Sequence, residues 1–151
     1  MAKQCFVAVV MIGWLVAGCA THVSVLPTHR EDTSVQARPL AIAARNLEGT
    51  VHPAPDDAAQ SEAARAVAAF NKEAQGFARA SARWINEDYV DKQYEEMITA
   101  WVKVKKTFPN LKPDALAQDA YKRVEYEWEK LMRVTGYAGR AYQKKIEDGQ
   151  K

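Results

Sequence analysis

Residues 58–85, AAQSEAARAVAAFNKEAQGFARASARWI, decide the fold. Within them Ala63, Val67, Phe70, Ala74 and Phe77 recur at steps of four, three, four and three. A helix turns once in about 3.6 residues, so these side chains form one apolar stripe, which Trp84 and Ile85 extend. Pro55-Asp56-Asp57 supplies start chemistry, with acids where the helix dipole is positive. Gly76 costs about 1 kcal/mol relative to alanine inside a helix, and so implies close packing against a neighbour.

Working outward, the pattern loses phase at Asn86-Glu87-Asp88. Asp88, with Asp91, is a candidate cap for a new helix, one bent helix being the alternative. A second stripe follows through Val90, Tyr94, Met97, Trp101, Val104 and Phe108, widened by Ile98 and Val102. Phe108-Pro109-Asn110 ends it, because proline lacks a donor and disfavours helix in the residue before it. Pro113-Asp114 opens a third stripe (Ala117, Ala120, Tyr121, Val124, Trp128, Leu131), and Arg133 with Gly136 marks its stop. A shorter fourth helix uses Tyr137, Ala141, Tyr142 and Ile146. No segment alternates with period two. The sequence predicts an all-α domain over 56–148, a three- to four-helix bundle. Breakers between the short heptad runs favour an intramolecular bundle over a two-chain coiled coil.

Upstream, residues 19–55 read as a flexible, disordered tether. They hold Pro27, Pro39, Pro53 and Pro55, all three histidines and no aromatic residue. The apolar patch Leu40 to Ala44 is read as a brief strand or helical turn. Such a coil has a root-mean-square reach of about 30–35 Å.

The first 18 residues carry an address. Lys3 precedes an apolar run from Cys5 to Ala17, which falls short of the roughly 20 residues a membrane-spanning helix needs. The run ends in Leu15-Val16-Ala17-Gly18-Cys19, which resembles the lipobox of bacterial lipoprotein precursors. That resemblance implies a diacylglycerol on Cys19, cleavage before it, and acylation of the new amino terminus. Secretion with cleavage near Ala20, and a short retained anchor, are the alternatives. Several acyl chains anchor stably where one binds only marginally. Ala20 directly after the cysteine, where the family often uses aspartate for inner-membrane retention, implies the periplasmic side of the outer membrane. Cys5 leaves with the signal, so the processed chain would fold without a disulfide.

The remaining residues offer little chemistry. Lys and Arg total 21 against 19 Asp and Glu, which is no basic excess for nucleic acid. Lys103, Lys105 and Lys106 sit at a predicted helix end, where cations complement the dipole. His22, His29 and His52 lack the converging partners a metal site requires. Glu95-Glu96 and Glu125, Glu127 and Glu129 diverge around their helices rather than facing one site. Ser61 and Ser81 have no histidine on the scaffold to activate them. Thr107-Phe108-Pro109-Asn110, leading into Pro113-Asp114, resembles a junction between tetratricopeptide repeats, but no repeat period follows.

The expectation is therefore a non-enzymatic lipoprotein with no catalytic residue, metal or cofactor beyond the covalent lipid on Cys19. It would be an accessory or assembly subunit of an envelope complex, binding an envelope protein and no nucleic acid. An inhibitor or immunity lipoprotein, and a small-ligand or glycan module built on the Trp/Tyr cluster, are the alternatives. The tryptophans fall on core stripes. Tyr89 and Tyr126 fall off them and are the candidate partner contacts.

Overall fold

The computed structural model describes residues 30–84 and 86–149, and all regular structure among them is helical. Four helices follow in order: α1 (Arg30–Thr50), α2 (Ala58–Arg83), α3 (Glu87–Thr107) and α4 (Ala115–Glu147). A single 3-10 turn, Phe108–Leu111, lies between the last two. The all-α bundle is as expected, but its membership differs. The signal and Cys19, with His22 and His29, lie outside the described residues.

The correction concerns the tether. Arg30–Thr50, expected to be flexible, is a helix whose Ala37, Leu40, Ala41, Ala44 and Leu47 belong to the hydrophobic core. Thr33, Ala37, Leu40, Ala44 and Leu47 repeat the same four-three spacing as the other stripes. Pro39 hides the pattern, because it stands inside the helix where a donor is required. It is only partly buried, and the carbonyl it leaves without its helical donor belongs to Val35, which is 63% exposed. The loop that remains, 51–57, contains His52, Pro53 and Pro55.

The other boundaries have local causes. Asp57 accepts the amide of Gln60 at 3.0 Å and starts α2. Trp84, at φ 42°, ends it while its own amide donates to Ala80. Asn86, not Asp88, caps α3, accepting the amide of Tyr89 at 3.3 Å. Asn86 wins because it is the last extended residue, whereas Asp88 already lies within the first helical turn. Asp114 caps α4 through the amide of Ala117 at 2.8 Å.

Gly136 breaks α4 at φ 71° and ψ −152°, a conformation reserved for glycine. The chain reverses there. Beyond it, Gln143 accepts the indole N–H of Trp128 at 3.0 Å, a contact that no straight helix could make across fifteen residues. The second arm, 137–147, therefore lies back along the first and docks on α3, where Lys105 pairs with Glu147. This arm is the expected short fourth helix.

Packing follows the stripes. Each of α1, α2 and α3 contacts its neighbour in sequence or, for α1, also α4, which closes the bundle. Trp101 sits at the centre, 5.0 Å from Phe70 and 5.6 Å from Trp128 between ring centroids. Phe77 meets Tyr94 at 5.2 Å, and Phe108 stacks on Tyr121 at 4.1 Å. These rings bury large areas and prefer tilted or offset-stacked contacts.

Candidate functional site

The residues singled out from the sequence separate into buried and exposed sets. Trp101 is 1% exposed and Trp128 is buried beside it, so these rings build the core rather than a stacking platform. Tyr94 is also fully buried. Its hydroxyl donates to Thr135 Oγ1 at 2.5 Å, and Thr135 in turn donates to the Leu131 carbonyl at 3.0 Å. Burial pushes the Tyr94 phenol well above its usual pKa, with Thr135 only partly opposing the shift. Burial also lifts Tyr121, to about 12, aided by the adjacent Glu125 charge. Gly139 lies against the Tyr94 hydroxyl so closely that a Cβ there would collide with it. Gly76, expected at a close approach, faces the side chain of Gln93 in the same way.

Ser61 donates to the Ala54 carbonyl at 2.7 Å and Ser81 to the Ala78 carbonyl at 3.2 Å, both holding local backbone. Lys103 pairs with Glu62 at 3.5 Å, and Lys105 with Glu147, so two of the three lysines of the basic cluster are partnered across the bundle. Glu96 accepts from Gln93 at 2.6 Å and lies 3.9 Å from Lys92. His52 is exposed in the 51–57 loop. Among the described residues, no group of three or more His, Cys, Asp or Glu is placed to hold a metal ion.

Two exposed aromatic patches remain. Tyr126, 52% exposed, stands on α4 with the Arg123 guanidinium and the Lys130 ammonium over its ring, at 5.2 Å and 4.9 Å from the centroid. Beneath them Glu127 is only 1% exposed. It lies 2.6 Å from the Arg123 guanidinium and 3.3 Å from the Lys130 ammonium. One buried carboxylate thus pairs with two cations, and both cations lie within cation–π distance of the Tyr126 ring. The second patch carries Tyr89, 54% exposed, at the start of α3 beside Arg79 and Arg83 of α2.

Sequence reasoning missed Glu127. The signal was its spacing: Val124, Glu127 and Leu131 step by three and four, which places the carboxylate on the flank of the apolar stripe. A charge at such a position is rarely buried unless paired.

No family model matches this chain, and neither a curated protein nor a solved structure shows significant similarity to it. Among the described residues no helix is long and apolar enough to cross a membrane.

Proposed function

We propose that this chain is a non-enzymatic lipoprotein, held by Cys19 on the periplasmic face of the outer membrane. In this reading the helical domain docks another envelope protein as an accessory or assembly subunit. The observation that carries it is the Tyr126 cluster. Tyrosine and arginine dominate binding hot spots, and a side chain already held in place loses less entropy on docking. Glu127 pairs with Arg123 and Lys130, and these two cations lie over the Tyr126 ring. The lipobox-like Val16-Ala17-Gly18-Cys19 supports the anchoring.

A photo-crosslinking amino acid at position 126, activated in cells before membranes are solubilised, tests the docking. A discrete heterologous adduct that Arg123→Ala weakens is expected; recovery of the free monomer alone would count against the reading. Anchoring is tested separately with Cys19→Ser, which should abolish palmitate labelling.

A further inference from the structure

The start of α1 and the end of α2 form a second surface with a different chemistry. Ser34, Val35 and Arg38 of α1 face Ala78, Arg79 and Ala82 of α2 across a shallow groove. Arg79 also lines the adjoining depression with Arg83 and Tyr89. The three arginines are exposed, and no carboxylate is among the described residues that line either depression. Glu31 and Asp32 of α1, and Glu87 and Asp88 of α3, stand in the first turns of their helices at the same end. Val35 and Tyr89 are each more than half exposed, although one is apolar and the other largely so. Arginine stems laid over apolar surface, with tyrosine beside them, are the chemistry of a lipid headgroup boundary.

Chain length says which partner such a surface meets. Because α1 begins at Arg30, the span from Cys19 is about eleven residues, which reach at most about 36–40 Å when extended. As a coil the same span averages about 18 Å. Helix α2 alone, at 26 residues, is about 39 Å long. The end of the bundle that holds the start of α1, the end of α2 and Tyr89 is therefore kept near the anchor. The opposite end, with the 51–57 loop and Asp114, stands one bundle length away.

We propose that this α1–α2 shoulder lies on an anionic lipid surface, with Arg38, Arg79 and Arg83 over the headgroups and Val35 and Tyr89 in the interface. The inference rests on the lipid anchoring of Cys19 proposed above. Headgroup attraction supplements the acyl chains and fixes the domain's orientation, which leaves Tyr126 free for a protein partner.

The chain from residue 19 onward, made without its signal and hence without lipid, is floated with vesicles. Phosphatidylethanolamine with about 30% phosphatidylglycerol is compared with pure phosphatidylcholine. Binding to the anionic vesicles alone, weakening as salt rises, is expected. Arg38→Glu/Arg79→Glu should lower the partition about tenfold or more. Lys112→Glu/Lys122→Glu, an equal charge change away from the shoulder, should alter it less than about twofold, and circular dichroism confirms that both variants fold. Tyr89→Ser should weaken binding without any change in charge. Equal partition to both vesicle types, or an Arg38→Glu/Arg79→Glu variant that binds like the parent, overturns the inference. So does retention on an acidic peptide resin with no vesicle binding, which would point to a protein partner. Mass analysis of the amino-terminal peptide from membrane-purified protein keeps the two readings apart. An unmodified Cys19 removes the anchor, whereas an acylated Cys19 with no vesicle binding removes this inference alone.

Discussion

Helix α1 and the α2–α3–α4 core bury their stripes at the same spacing with different materials. The α1 stripe is Thr33, Ala37, Leu40, Ala44 and Leu47, with no aromatic ring. The core beside it is built on Phe70, Phe77, Tyr94, Trp101 and Trp128. Small side chains let α1 approach its neighbours closely, but each contributes less buried area. Helix α1 also carries Pro39, and with it one backbone hydrogen bond fewer. The same periodicity thus yields an aromatic centre and an aliphatic helix packed against both α2 and α4.

The largest test of that contrast is Trp101→Ala. It removes the ring shared by Phe70, Tyr121 and Trp128 and should cost about 3–5 kcal/mol in urea unfolding. A loss no greater than that of Ala44→Gly on α1 would erase the distinction. Next in size, Pro39→Ala restores the bond to the Val35 carbonyl and should stabilise the protein by about 2 kcal/mol. Amide exchange should then slow in α1 more than in α3; unchanged exchange would mean the proline does not weaken the helix.

A smaller effect sits where α3 meets both arms of α4. Tyr94→Phe removes the hydroxyl bond to Thr135 and should cost about 1 kcal/mol. Tyr94 and Tyr121 hold their protons more tightly when folded than in the unfolded chain, where tyrosine titrates near 10. Their contribution is intact below pH 10; that of Tyr121 is lost as pH rises through about 12, and that of Tyr94 at still higher pH. Melting temperature should fall across that window, less steeply for Tyr94→Phe. The smallest effect is at Glu147, whose pKa is lowered first by its hydrogen bond with Lys105. Its contribution is present above about pH 4.5 and lost on acidification. Lys105→Met should remove less than about 1 kcal/mol at neutral pH and nothing once Glu147 is protonated.

Much of this was legible in the residues. The stripes of α2, α3 and both arms of α4 are readable as spacing, and Asp57, Asp114 and Gly136 mark boundaries that the chain uses. Helix α1 was hidden because Pro39 outweighed a stripe equally regular, and local propensity yields to tertiary burial at such a place. The cap of α3 was misplaced by two residues, since Asn86 and Asp88 are both good caps and only the backbone decides between them. Tyr126 was read as exposed from its position off the stripe. Its clamp was not, because a carboxylate flanking an apolar stripe looks like surface charge until a neighbouring helix covers it. The arginines of the shoulder lie on two consecutive helices but distant in the chain, and only the packing of α1 on α2 brings Arg38 to Arg79.

The reversal at Gly136 also bears on assembly. No other residue adopts its backbone angles at low cost, so a single base change at that codon would favour a helix running straight on. The arm 137–147 would then project by roughly 16 Å and leave its place on α3 vacant. The nearest matching surface for each such arm is the α3 of a second molecule. Gly136→Ala is expected to convert the self-clasped fold into reciprocally exchanged pairs, visible in light scattering as a mass twice that of the parent that grows with concentration.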